Sequence, residues 1–315
     1  MRKESLFHTR SRMCICFSRL LRNAQRCKNT MEFLYRKQKF FSRLAMLAGL
    51  LFVMLTVVAA LSACSKTGLS IAKPVRSRSL NECVVLIHGM GRTLHSMDKM
   101  QERLVAEGYH TVSLGYPSTR ATIEEIVSDY FPEALKQCQQ FSPVAVHFVS
   151  HSLGGIVLRA HFKAAKPENM GRVVMLSPPN KGSEAADSLK DWWLYKWING
   201  PAGQQLTTDL NSFPNRLGPV DYPVGIITGD RYIFFDYWFS TIIPGRDDGK
   251  VSVARSRLEG MRDFLVVHET HPFIMDAEYV QDETVYFLQN GLFMHHRHPL
   301  PPVTGLDWFS FPSKK

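Results

Sequence analysis

The stretch VAVHFVSHSLGGIV, residues 144–157, sets two serines on either side of a histidine. Val144 through Val149 is a β-branched and aromatic run that reads as a strand buried on both faces. Gly154 and Gly155 lead into Ile156, Val157, Leu158 and a mixed segment through Lys166 that reads as a helix. A strand, a sharp turn and a helix therefore meet at Ser152. Such a turn lifts a serine hydroxyl above a sheet only when the residues at minus two and plus two are small, because strand and helix cross closely there. Around Ser152 those residues are Ser150 and Gly154; around Ser150 they are Phe148 and Ser152, and phenylalanine does not fit. Ser152 is the candidate nucleophile, with Ser150 in the place where glycine is usual. Taken alone, the pentapeptide also reads as a polar turn without chemistry.

The surroundings repeat the alternation. CVVLIHG reads as a buried strand, MDKMQERLVAEG as a helix closed by Gly108, and HTVSLGYP as a second strand. Residues 122–140 carry a helical pattern that Pro132 breaks or kinks. RVVMLSPPNKG, VGIITGD and DFLVVHETH each place a β-branched run before a polar loop, and residues 277–290 form a last helix ended by Gly291. Alternation of this kind predicts an α/β class: a mainly parallel sheet covered by helices on both faces, with functional groups in the loops at the strand C-terminal ends.

Charge separates the chain into parts. The 315 residues carry a formal net charge of +10, which raises the question of a nucleic-acid partner. Residues 1–43 hold 12 Lys+Arg against 2 Asp+Glu, and the remainder holds 26 of each. The basic excess lies wholly in the N-terminal segment, so no electrostatic case for nucleic acid exists in the globular part. Residues 44–61, LAMLAGLLFVMLTVVAAL, are apolar and uncharged, and 44–63 reads as a signal segment or membrane anchor. Leu61 to Cys64, LSAC, resembles the lipobox of bacterial lipoproteins, which implies lipidation of Cys64 and a membrane-anchored, exported protein. Ser65 after that cysteine is similar to outer-membrane sorting signals of enterobacterial type, implying the periplasmic face in a Gram-negative source. Met31 begins a better-proportioned signal segment than Met1, which marks residues 1–30 as a misassigned start. Residues 64–81 read as a polar tether, 82–291 as the compact domain and 292–315 as an irregular tail. Cys83 and Cys138 remain in the domain, enough for one disulfide in an oxidising compartment. Neither of these two stands near a histidine at metal-ligand spacing, and no cofactor is expected. His295, His296 and His298 read as a solvated basic tail rather than a metal site.

A serine on such a turn needs a base, an orienting acid and an oxyanion hole, in the chain order serine, acid, histidine. Downstream stand Asp230, Asp247 and Asp248 as acids, and His268 and His271 as bases. VVLIHGMG, VSHSLGG, LSPPNKGSEAAD, DDGKVSV and THPFIM, in that order, resemble the lipase-like serine esterases of the α/β-hydrolase superfamily over roughly residues 83–291. The resemblance implies the α/β-hydrolase fold. It implies Ser152, Asp248 and His271 as triad, with the backbone N–H groups of Met90 and Leu153 as the oxyanion hole and an acyl ester as substrate. Asp230 and Asp247 stay open as acids, and His268 as a buried or substrate-lining residue. His88 reads as shaping the oxyanion turn, and His151 as the polar residue usual before the serine. The aromatic clusters DWWLYKW (191–197) and RYIFFDYWF (231–239) read equally as a cap or acyl pocket and as ordinary core. A lipid-anchored scaffold without turnover is the alternative from another functional class, and an acyl-thioesterase or acyltransferase on the same triad is the alternative within it.

Overall fold

The computed structural model describes residues 67–73, 81–191, 193–295 and 310–312. The basic segment, the apolar run and Cys64 lie outside the described residues. Among the described residues no helix is long and apolar enough to cross a membrane.

Among the described residues eight strands form one sheet: β1 (Gly68–Ala72), β2 (Glu82–Ile87), β3 (His110–Gly115), β4 (Ala145–His151), β5 (Met170–Leu176), β6 (Val224–Ile233), β7 (Asp263–Thr270) and β8 (Ser310–Pro312). Their order is β1-β3-β2-β4-β5-β6-β7, with β8 on β6; β2 through β7 run parallel, while β1 and β8 pair antiparallel to their neighbours. This is the mainly parallel α/β sheet that the alternating pattern predicts, in the arrangement that the α/β-hydrolase resemblance implies.

Period-two alternation explains why the central strands are apolar throughout. In β2, Cys83, Val85 and Ile87 point into one core layer, and Val84 and Leu86 into the other. β4 and β5 divide in the same way: Phe148, Val173 and Met175 on the first side, Val149, Val174 and Leu176 on the second. Ile123, Phe131 and Ile156 from three helices close the first layer, and Leu104 and Phe287 from two others close the second. Each fully buried aliphatic side chain is worth about 1.5–3 kcal/mol.

Local signals place the helix ends. Thr122 and Glu125 form a reciprocal capping box at the start of Ile123–Asp129. The predicted break at Pro132 is a division into two helices, the second being Phe131–Gln139 with the proline in its first turn, where its missing N–H costs nothing. Gly291 ends Glu278–Asn290 with a left-handed φ of 81°.

Two boundaries differ from the sequence reading. Residues 64–81 are not wholly a tether, because Gly68–Ala72 adds an antiparallel edge strand to β3 and Leu69 packs on the core. The tail after Gly291 is not wholly irregular: Phe293 is buried against Phe287, and Ser310–Pro312 pairs with Arg231–Ile233. In both cases an open strand edge with unpaired N–H and C=O groups captures a segment too short to show period two.

Cys83 in β2 and Cys138 in the helix Phe131–Gln139 are joined by a disulfide, both residues fully buried and their Cα atoms 5.8 Å apart. It closes a loop of 55 residues. Cys83→Ala/Cys138→Ala is expected to lower unfolding stability by about 2–4 kcal/mol, read from the urea midpoint against the oxidised wild type.

Candidate active site

β4 ends at His151 and the helix Leu153–Ala164 begins one residue later, leaving Ser152 alone to make the turn. Its φ of 52° and ψ of −121° are a strained conformation for a residue with a side chain. The turn is held by its own backbone: Ser152 N–H donates to Leu176 C=O at 2.9 Å, and Gly155 N–H to Ser152 C=O at 2.9 Å. Small residues are required nearby. A Cβ on Gly154 would stand 2.6 Å from the Ile87 carbonyl oxygen, and one on Gly89 would stand 2.7 Å from His151 Nδ1. Ser150 is fully buried behind the turn, so it presents no hydroxyl to a substrate.

Above the turn, His271 Nε2 lies 2.9 Å from Ser152 Oγ, and His271 Nδ1 lies 2.8 Å from Asp248 Oδ2. Asp248 is fully buried, and its other oxygen accepts the N–H groups of Lys250 (3.1 Å) and Val251 (2.9 Å). His271 N–H also donates to the Asp248 carbonyl at 3.1 Å, which fixes the two loops to one another. The three side chains are thus a continuous hydrogen-bonded line.

The rival residues sit elsewhere. Asp247 accepts Ser240 Oγ–H (2.9 Å) and Gly249 N–H (2.9 Å) and builds the turn that presents Asp248. Asp230 pairs with His268 Nδ1 (3.0 Å) through one oxygen and with the Arg246 guanidinium through the other, a clamp between β6, β7 and the acid loop. Neither carboxylate is a partner of His271.

The two remaining histidines are buried and structural in geometry. His88 stacks on Tyr116 with ring centroids 4.1 Å apart and donates Nδ1–H to Gly89 C=O at 2.8 Å. Burial, reinforced by nearby Arg92, lowers its pKa to about 4 against the hydrogen bond to Gly89. His151 donates Nε2–H to the His271 carbonyl at 2.9 Å; burial first, then the charges of His271 and Arg92, hold its pKa well below the usual histidine range. That hydrogen bond, and one from Arg92 to the Pro272 carbonyl, tie the elbow and the loop after β2 to the histidine loop. The sequence reading missed both, since neither donor type signals its partner.

Leu153 N–H is the first in its helix and has no intrahelical acceptor. Met90 N–H has no backbone acceptor among the described residues. Met90 borders, with Ser152 and His271, a cavity of about 350 Å³ whose apolar walls include Ala185, Ala186, Leu206, Phe239 and Val251. The two aromatic clusters therefore divide. Phe239 faces the cavity, whereas Trp193, Trp197, Phe234, Tyr237 and Trp238 are exposed, which removes ordinary core as their reading. Among the described residues no three His, Cys, Asp or Glu side chains converge as metal ligands. His295 instead holds Asp263 at 2.9 Å; His296 and His298 lie outside the described residues.

This line of groups can pass the Ser152 proton to His271, keep the imidazole in one tautomer through Asp248, and offer amides to a developing oxyanion.

The sequence profile described as the alpha/beta hydrolase family matches residues 84–302. Among characterised relatives, lysosomal thioesterase PPT2 of Homo sapiens is 24% identical over 224 residues, 62% of this chain and 73% of that protein. Among solved structures, the propeptide form of Bacillus licheniformis lipase BlEst2 superposes with a TM-score of 0.58 at 18% identity, covering 74% of this chain and 56% of that one. This chain thus spans little more than half of that propeptide form. The mature form gives 0.54 at 17% identity, covering 72% and 98%. The Pyrococcus furiosus esterase PF2001 gives 0.50 at 15% identity, covering 71% and 91%. At these identities the structural likeness is one of fold.

Asp248→Asn and His271→Ala are each expected to reduce turnover of an activated short-chain ester by about 10³–10⁴-fold. Asp230→Asn and His268→Ala should stay within about tenfold of wild type, and Ser150→Gly should keep most activity. Steady-state kinetics on the five variants decides the matter; a severe loss in Asp230→Asn with Asp248→Asn still active would reassign the acid.

Proposed function

The chain belongs to the alpha/beta hydrolase family, and from that premise we propose that it is a lipase-like serine hydrolase acting on acyl esters through Ser152, His271 and Asp248. The observation that carries this reading is the unbroken line Ser152 Oγ–His271 Nε2 and His271 Nδ1–Asp248 Oδ2, at 2.9 and 2.8 Å. As Ser152 Oγ attacks the acyl carbon, its proton moves to His271 Nε2. The carbonyl oxygen takes up negative charge against the N–H groups of Met90 and Leu153. Collapse of the tetrahedral intermediate breaks the bond to the leaving oxygen, which collects the proton from Nε2. Water then enters, gives a proton to Nε2 and attacks the acyl-serine, and Ser152 recovers its hydrogen as the acid departs. Asp248 keeps its charge throughout and orients the imidazole.

The apolar cavity beside Ser152 suits the hydrocarbon part of a lipid-like acyl group. A thioester is the second reading, supported by the 24% identity with a relative named as a thioesterase. The same steps serve it with a thiolate as leaving group. A scaffold without turnover has no use for a buried acid aligned on a histidine aligned on a serine.

Export and anchoring belong to the same proposal. The apolar run 44–61 and LSAC support a chain carried across a membrane and held by acylated Cys64. Two or three acyl chains at about 0.8 kcal/mol per buried CH₂ hold such a protein firmly, whereas one chain is marginal. A disulfide between Cys83 and Cys138 suits an oxidising compartment such as the periplasm.

A fluorophosphonate probe should label Ser152, identified by peptide mapping, and Ser152→Ala should lose both the label and at least about 10³-fold in turnover. Absence of label from folded wild-type protein would sink the proposal. Mass spectrometry of the mature N-terminus should find acylated Cys64; an intact peptide spanning residues 61–65 would make the apolar run an uncleaved anchor instead.

A further inference from the structure

Exposed aromatic side chains are concentrated around one opening. Trp193, Trp197 and Trp238 are 72%, 59% and 68% exposed, and Phe234, Tyr237 and Phe273 are each more than half exposed. Phe234 aside, these rings come from segments that also border the catalytic cavity. The helix Trp193–Gln204 contributes Asn199 to the cavity wall, Tyr237–Ile242 contributes Phe239, and Phe273 follows His271 by two residues. Single exposed apolar residues are ordinary on a protein surface; five large rings around one mouth are not. Tryptophan and tyrosine together favour the boundary between lipid headgroups and hydrocarbon, where the ring is desolvated and its polar atom stays wet.

The topology supplies an independent argument for what covers this rim. β1 runs antiparallel to β3, and its first residue, Gly68, pairs with Gly115, the last residue of β3. Through Leu114, Ile87 and Ser150 that level continues across β3, β2 and β4 to the nucleophile turn. The chain therefore joins the domain at the catalytic edge of the sheet, three interstrand spacings, or about 14 Å, from Ser152. Cys64 precedes Gly68 by four residues, which at about 3.5 Å per residue limits their separation to about 14 Å. A lipid anchor at Cys64 holds that edge close to the bilayer rather than letting the domain swing on a long tether.

We propose that the aromatic rim formed by Trp193, Trp197, Tyr237, Trp238 and Phe273 is a lipid-docking surface that seats the mouth of the catalytic cavity on the bilayer to which the chain is attached. An acyl chain then passes from the bilayer into the cavity without crossing water. The inference rests on the proposed hydrolase reading for its substrate, but docking has its own readout.

The full-length chain is placed in phosphatidylcholine vesicles with brominated or plain acyl chains. Tryptophan emission should be quenched in the brominated vesicles, and Trp193→Ala/Trp197→Ala/Trp238→Ala should lose most of that quenching. The same variant should hydrolyse a vesicle-embedded ester at least about tenfold more slowly, the factor that about 1.4 kcal/mol of lost docking produces. Its turnover of a water-soluble short-chain ester should match wild type. Equal emission in the two vesicle types would overturn the docking surface, as would a rim-to-rim disulfide between two copies of Trp238→Cys in place of quenching. Quenching without turnover of any ester would support docking and count against the hydrolase reading alone.

Discussion

The whole candidate site hangs on one tight crossing. The helix that starts at Leu153 passes so close to the end of β2 that no side chain fits at Gly154, where a Cβ would collide with the carbonyls of Ile87 and His88. The chain can turn that sharply only by forcing Ser152 to positive φ. The strain does three things at once. It lifts the hydroxyl out of the sheet, aims a free helix N-terminal amide at the same space, and brings the loop after β2 alongside with its own amides. Partners then need only be delivered by loops at the same edge, which a parallel sheet does by construction.

The delivery is secured by bonds between loops rather than by the sheet. His151, next to the nucleophile, is bonded to the carbonyl of His271, and Arg92 to the carbonyl of Pro272. Asp248 is bonded through its own carbonyl to His271 N–H. The histidine loop is thus fastened to the elbow, the loop after β2 and the acid loop. Burial holds the His151 pKa well below the usual histidine range, which disfavours a second charge beside the His271 imidazole.

Much of this was legible because it is local. Two-faced burial shows as runs such as CVVLI, and the crossing shows as small residues two positions either side of Ser152, both features of a few consecutive residues. The choice among Asp230, Asp247 and Asp248 was not legible in the same way. All three lie in or beside one loop, and what separates them is which of Ser240, Arg246 or His271 each one meets after folding. The edge strands escaped notice for a related reason: five residues of GLSIA and three of SFP carry too little alternation to register, and their pairing is dictated by the open edge they meet. The aromatic clusters were ambiguous because composition cannot separate a ring that fills a core from one that faces outward.

The close approach at Gly89 has a consequence for how sequences of this architecture can diverge. A Cβ there would press on His151 Nδ1 at 2.7 Å and on Ser152 Cβ at 3.0 Å, so the residue after His88 and the residue before the nucleophile share the room of a single methyl group. The two positions form an epistatic pair: enlarging the first is tolerable only in a background where the second has already shrunk. Drift along this chain is therefore ordered: position 89 can only follow a change at position 151, and His151 is itself held by its bond to the His271 carbonyl.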